Sequence, residues 1–374
     1  MAGSGADDYL IFTPADVDLG RSPLRHGIGA PTFVLGAFNP GLARLPGGNL
    51  LLMVRIAEAL SEPVRDGAAQ AIRWTEHGYT LDRYPLDTID MADPRQFELK
   101  AAGPRRLALT SLSWLLPVEL DADARRIVAV HYDKAIAPAS SGQQYGVEDP
   151  RISLIDGTYY MTTCTVSAER LGTTLYTSTN GLDWRCRGLI LDHLNKDMAL
   201  FEGRIDGGFL ALTRPLGEVW FAYPPGSAWR GGPSINLARS PDALHWRPLD
   251  QPFLRARHAT ASAKLGGGSQ PILTPDGWLM IYHGVEPREA VGIYRSFWAL
   301  LDRCEPWRIL RLEDDAPLLE ARADLVAPIR DRLYLPHPVV FTTGIADAGD
   351  RYIVASGEAD LACRITHIAK SRFA

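Results

Sequence analysis

Apolar and polar residues along this chain fall into short, strand-like runs, each closed by turn-forming residues. Such runs cover Asn49–Arg55, Arg126–Tyr132, Thr158–Thr165, Thr174–Ser178, Gly208–Thr213, Ser234–Ala238, Trp278–His283, Phe297–Leu301, Val339–Thr343 and Arg351–Ala355. The 34 glycines and 27 prolines supply the punctuation. Little of the periodicity of an amphipathic helix lies between them, so the pattern predicts an all-β protein.

A weak internal repeat sharpens the fold class. The stretch from Leu175 to Trp184 resembles that from Leu237 to Trp246, and Leu301-Asp302 to Trp307 is a looser third copy. Each consists of a strand, a polar turn (Asn180-Gly181 or Pro241-Asp242 in the first two) and a tryptophan able to pack under the turn. A strand–turn–tryptophan unit spaced by about 60 residues predicts a β-propeller, with room for about five blades as one domain over residues 1–374. A β-sandwich with coincidental turns is the alternative. The charged segment from Ser61 to Ser113 does not fit the repeat and is expected to be an insertion, covering the mouth of a site or decorating a blade edge.

Composition narrows the function classes. The chain has 374 residues, 46% of them hydrophobic, and a formal net charge of −5. No basic run suggests a nucleic-acid surface. No apolar stretch approaches the roughly 20 residues of a membrane span. Met1–Leu10 lacks the apolar region of a signal peptide, so a cytoplasmic location is expected, with Met1–Asp8 disordered. Cys164, Cys186, Cys304 and Cys363 have no metal-ligand spacing and are expected to be buried free thiols; no metal is implied.

One stretch stands out for its chemistry. Tyr145 to Ile152 contains Glu148, Asp149 and Arg151 around Pro150, followed by an apolar run expected to be a strand from Ile152 to Met161. Proline restricts the residue before it, so Asp149 is expected on an extended or turn backbone, with its side chain held in one direction. A stiff carboxylate beside a guanidinium suits an acid tuned by its neighbours, or simply a paired turn residue. Further polar residues close other strands: Asn39, Arg55, Glu58, Asn195, Lys196, Asp197, Glu202, Arg204, Arg214, Lys264, His283 and Asp360. Each has a bland alternative. Asn39 could be a turn former, Lys264 a solvated loop residue and His283 a core histidine. Their recurrence at separate strand ends is the stronger signal.

Together these pieces resemble glycoside hydrolase family 130, the mannoside phosphorylases and related β-mannosidases. The matching motifs are Phe38-Asn39-Pro40-Gly41, Val54-Arg55, Gly146 to Arg151, Lys196-Asp197, Arg214-Pro215, Lys264-Leu265-Gly266, Tyr282-His283-Gly284 and Gly357 to Asp360. The resemblance implies a five-bladed β-propeller and an inverting phosphorolysis of a β-mannoside oligosaccharide to α-mannose 1-phosphate. Asp149 would be the acid, acting through the sugar's 3-hydroxyl. Arg214, Lys264, His283 and Lys196 would bind phosphate. Asn39, Arg55, Glu148, Arg151 and Asp360 would bind the sugar. Inorganic phosphate is the co-substrate, no other cofactor is implied, and members of the family often form homo-oligomers.

Two departures are visible. Phosphorylases of the family often carry a histidine before the Arg-Pro pair, where this chain has Thr213, and many members have Pro-Glu-Lys near Glu202-Gly203-Arg204. The alternatives are therefore an inverting β-mannosidase, with Glu202 or Glu218 activating water, and a non-catalytic sugar-binding propeller.

Overall fold

The computed structural model describes residues 7–93, 96–100, 106–216, 233–249, 253–289 and 291–373. Within these residues the chain is almost entirely β, with one four-residue α-helix, Ala323–Val326. Among the described residues, no helix is long and apolar enough to cross a membrane.

The repeat seen in the sequence is a repeated turn. Asn180 Oδ1 accepts the backbone N–H groups of Leu182 and Asp183, each at 2.9 Å. Asp242 does the same for Leu244 and His245, and Asp302 for Cys304 and Glu305, again at 2.9 Å. A short side-chain acceptor thus replaces a backbone partner at the same point in three hairpins. Trp184, Trp246 and Trp307 then fold back onto three different apolar clusters.

The principal strands fall into five groups of four. Thr32–Arg44, Leu50–Leu60, Ser111–Leu120 and Ile127–Val130 form the first; Gly146–Ile155, Thr158–Val166, Leu171–Ser178 and Arg185–Leu191 the second. A parallel pairing of Ser113 with Gly146 joins these two into one larger sheet. Asn195–Leu200, Phe209–Pro215, Ser234–Ser240 and Arg247–Pro248 form the third group. The fourth is Lys264–Gly267, Gly277–Glu286, Ile293–Leu301 and Ile309–Glu313. The last comprises Val340–Asp347, Arg351–Glu358, Ala362–Ala369 and, from the other end of the chain, Asp7–Phe12.

Burial follows the same count. One apolar cluster lies between the last and first groups (Phe12, Leu52, Trp114, Ile353) and one between the first and second (Met53, Leu115, Ile152, Met161). Others lie between the second and third (Ile155, Leu175, Phe209), the third and fourth (Leu212, Leu237, Met280) and the fourth and last (Ile281, Trp298, Val354). Each sheet therefore buries both faces, which is why its central strands are buried along nearly their whole length rather than at alternate residues.

Three expectations need correction. Asp7 and Asp8 are not disordered; they pair with His367 and Thr366, and Asp8 is gripped by buried Arg364. The apolar run from Ile152 to Met161 is not one strand but a hairpin turning at Asp156-Gly157, where both residues have positive φ. Cys164 and Cys363 are buried, but Cys186 and Cys304 are exposed. The inserted segment is an excursion from one hairpin. Ala59 pairs directly with Ser111, so Ser111 to Ser113 already belong to the main sheet. Its strands form two small sheets, Val64–Arg65 with Ala68–Thr75 and Gly78–Pro85, and Ile89–Asp93 with Gln96–Leu99 and Leu107–Leu109.

Candidate active site

The site is built by three irregularities in the first strands of three successive groups. Asn39, Asp149 and Asp197 have φ of 48°, 50° and 56°. Each lies where its strand slips register against its neighbour: between Phe38 and Gly41, between Glu148 and Arg151, and between Lys196 and Ala199. A bulge with a left-handed Asn or Asp re-aims a side chain that regular pleating would send into a sheet interface. Proline follows Asn39 and Asp149 and disfavours the right-handed region for both. Of the extended and turn alternatives expected for Asp149, the backbone takes the second, in the left-handed region.

The bulges bring their side chains together. Asn39 Nδ2 donates to Asp149 Oδ1 at 2.9 Å. Arg55 reaches the same oxygen through Nη1 at 2.9 Å, Glu148 through Nη2 at 2.7 Å and Ser113 Oγ through Nε at 3.0 Å. Its guanidinium also lies 4.8 Å from the centre of the Phe38 ring. Lys196 Nζ stands 3.4 Å from Glu148 Oε2. Nearby, Asp197 is surrounded by Arg214 at 3.0 Å, His283 at 3.5 Å and Arg151 at 3.7 Å.

These surroundings set the charges. Burial alone would raise the Asp149 carboxyl, but Arg55, Lys196 and Arg151 outweigh it and hold the group well below the usual carboxylate range. Asp149 is thus ionised in the sugar-free protein. Burial pushes His283 down to about 3, with Arg214, Arg151 and Lys264 pushing the same way against Asp197, so the ring is neutral at physiological pH. Burial disfavours the Lys196 ammonium, but Cys164, Glu148 and Asp149 reverse this and raise it.

A cavity of about 410 Å³ opens on this network, within the range of small-molecule sites. Of the residues expected from the sequence, Asn39, Arg55, Glu148, Asp149, Lys196, Asp197, Arg214, Lys264 and Asp360 line it. Arg151 and His283 do not, because their side chains are 1% and 0% exposed. Arg151 Nη1 donates to the backbone carbonyl of Asp149 at 2.9 Å and Nε donates to that of Gly268, so it braces the bulge rather than meeting a sugar. His283 stands behind Arg214, 3.3 Å from its Nη1. Asn195 does not line the cavity; its Oδ1 accepts the backbone N–H of Arg214.

Other candidates lie elsewhere. Glu58 is a buried structural acceptor for Ser22, Thr32 and Trp114. Arg204 pairs with Asp156 on the outer surface. Glu202 does not line the cavity: five residues beyond Asp197, it bonds to Gln270, which in turn bonds to the carbonyls of Leu42 and Ile345 at the far end of the first strands. Glu218 lies outside the described residues.

Sequence reasoning missed Tyr294, Tyr334 and Phe341, all of which line the cavity. Tyr294 Oη accepts from Lys264 Nζ at 2.7 Å, because Lys264 and Tyr294 flank Val285 from the strands on either side. That neighbourhood needs the register, which no local motif carries. The third bulge residue, Asp197, lacks the following proline that marks Asn39 and Asp149. Lys264 is not a loop residue either, since it opens the strand Lys264–Gly267. Gly266 sits in a strand opposite His283, where a Cβ would collide with the Asp197 carboxylate and the histidine ring.

A family model described as beta-1,4-mannooligosaccharide phosphorylase, that of glycoside hydrolase family 130, matches residues 127–372. The chain is 30% identical over 367 residues to a beta-1,2-mannobiose phosphorylase of Listeria innocua, covering 95% of this chain and 92% of that one. It is 32% identical over 236 residues to a 1,2-beta-oligomannan phosphorylase of Thermoanaerobacter, covering 61% and 70%. The solved structure of the Listeria innocua phosphorylase in complex with beta-1,2-mannobiose superposes with a TM-score of 0.78 at 28% identity, covering 98% of both chains.

Proposed function

The chain belongs to glycoside hydrolase family 130, and on that premise we propose that it is an inverting β-mannoside phosphorylase acting on β-1,2-linked mannosides. The observation that carries this is one cavity bearing Asp149 together with Arg214 and Lys264. An acid opposite cations, with the lining carboxylates Glu148 and Asp197 each held in ion pairs, suits attack by an anion that is already nucleophilic. The Listeria innocua relative, which matches over nine-tenths or more of both chains in sequence and in structure, bears the β-1,2-mannobiose name, and this supports the linkage.

In this reading Asn39, Arg55 and Asp360 hold the terminal mannosyl unit. Phosphate binds at Arg214 and Lys264, bidentate at the guanidinium, with His283 and Asp197 fixing Arg214 from behind. Phosphate brings negative charge into a low-dielectric site, which raises the proton affinity of Asp149 and offsets its cations. The sugar and its anion thereby arm the acid together. Asp149 delivers a proton to the glycosidic oxygen by way of the sugar's 3-hydroxyl, and the bond from that oxygen to the anomeric carbon breaks. A phosphate oxygen closes on that carbon from the opposite face, giving α-mannose 1-phosphate and the free acceptor sugar. Preorganised donors at the ring stabilise the oxocarbenium-like transition state.

The five strand groups and five intervening apolar clusters support a closed five-bladed propeller, with the pairing of Asp7–Phe12 to Ala362–Ala369 shutting the ring. We also infer a cytoplasmic enzyme, with phosphate as its co-substrate. The test is incubation with β-1,2-mannobiose with and without inorganic phosphate. Mannose 1-phosphate should form only with phosphate, and equal release of mannose in its absence would identify a hydrolase instead.

A further inference from the structure

Among the described residues, His258, Asp314 and Asp315 form the one group of metal-ligating side chains whose donor atoms all lie within 4.8 Å of one another. None of the three lines the catalytic cavity. His258 opens the short turn Ala259–Ala261 that leads into Lys264, at the inner edge of the fourth strand group. Asp314 and Asp315 follow Ile309–Glu313, the outer edge of the same group. Two strands, Gly277–Glu286 and Ile293–Leu301, separate these edges, so no strand pairing accounts for the meeting of the trio.

The spacing is too wide for hydrogen bonds and fits a metal ion. His258 Nε2 stands 3.5 Å from Asp314 Oδ1 and 3.6 Å from Asp315 Oδ1. By contrast, His245 closes on Asp242 to 2.7 Å and His131 on Glu119 to 3.1 Å. A tetrahedral cation about 2.1 Å from each ligand keeps those ligands about 3.4 Å apart. The Asp314 side chain is 15% exposed, and no described residue donates a hydrogen bond to it; Arg257 Nε faces its other oxygen from 3.8 Å.

A second observation points into the same place. His258, Asp314 and Tyr282 line one narrow cleft with about 10 Å³ of room, enough for a single water. Tyr282 is 2% exposed, and its hydroxyl has no hydrogen-bond partner among the described residues. A buried tyrosine hydroxyl usually has one. We propose that His258, Asp314 and Asp315 hold a divalent transition-metal ion of the zinc class. A water in the cleft is its fourth ligand, and the Tyr282 hydroxyl is that water's hydrogen-bond partner. An imidazole ligand selects against magnesium and calcium, which favour oxygen alone. The ion ties the outer edge of the fourth group to the turn ahead of Lys264, and its binding does not depend on the phosphorylase reading.

The test is calorimetric titration of zinc chloride into the full-length, untagged chain after treatment with a chelator. One zinc per chain should bind. Binding should be lost in His258→Gln and in Asp314→Asn, weakened about tenfold in Tyr282→Phe, and unchanged in the control His245→Gln. Zinc should also raise the thermal unfolding midpoint of the wild type and leave that of Asp314→Asn where it was. Absence of saturable zinc binding overturns the proposal. So does binding retained in either His258→Gln or Asp314→Asn, or binding lost in His245→Gln, which would place the ion at His245 and Asp242 instead. Calcium bound as tightly as zinc would overturn the class of metal, and wild-type affinity in Tyr282→Phe would overturn the water bridge.

Discussion

Two buried charge networks in this protein use the same residue types to opposite ends. Where the first and last strands meet, Arg364 is 2% exposed and fully partnered: Nε and Nη2 reach Asp8 at 3.1 and 3.0 Å, and Nη1 reaches Glu358 at 2.9 Å and the carbonyl of Glu320 at 2.8 Å. Thr366 also donates to Asp8, and the backbone N–H of Arg322 donates to Glu358. The cavity network is equally buried but unfinished. Among the described residues, ten buried side-chain nitrogen or oxygen atoms lack a hydrogen-bond partner, and five of them belong to Asn39, Arg151, Asp197, Arg214 and His283. Buried polar groups are nearly always satisfied, so the clustering of these atoms around the cavity sets its network apart from the clasp.

That contrast can be broken at its strongest point first. Asp149→Asn should lower kcat by about 10²–10⁴-fold while the thermal unfolding midpoint holds steady. A variant with wild-type turnover would remove Asp149 from the chemistry. At the clasp the effects should reverse. Arg364→Met leaves Asp8 and Glu358 buried without their cation and should cost about 3–5 kcal/mol in urea unfolding, with kcat of the folded fraction unchanged.

A smaller effect separates Glu202 from the cavity. Burial pushes its carboxyl up to about 7, countered in part by Gln270. Holding its proton more tightly when folded, Glu202 adds stability that is complete below the ordinary value of 4.5 and is lost as the pH rises through about 7. Glu202→Gln should flatten that fall by up to about 3 kcal/mol, less the screening at its partly exposed edge, with turnover intact. Lost turnover would bring Glu202 back into the mechanism. Least in size, Gly266→Ala should raise the KM for phosphate about tenfold, about 1.4 kcal/mol, by displacing Asp197 and His283; a change confined to the KM for sugar would break the division of the site.

How far these networks were legible from residues alone depended on how local their causes are. The all-β class and the repeated turn were visible because Asn180, Asp242 and Asp302 act on residues two and three positions away. Asn39 and Asp149 stood out because proline follows each. Thr32–Arg44 and Ser111–Leu120 escaped as strands, since burial on both faces erases alternation. The pairing of Lys264 with Tyr294 and the bracing role of Arg151 depend on register between distant strands. Pattern near the residue cannot reveal which cations face the cavity and which stand behind it.

The central claim is that the unfinished network is an anion site organised on Arg214. Isothermal titration of inorganic phosphate into the sugar-free protein at neutral pH tests it most directly. The account predicts one phosphate per chain, binding lost in Arg214→Met and strengthened in Asp149→Asn, where a neighbouring negative charge is gone. Phosphate affinity that is the same with and without the Arg214 guanidinium would contradict it.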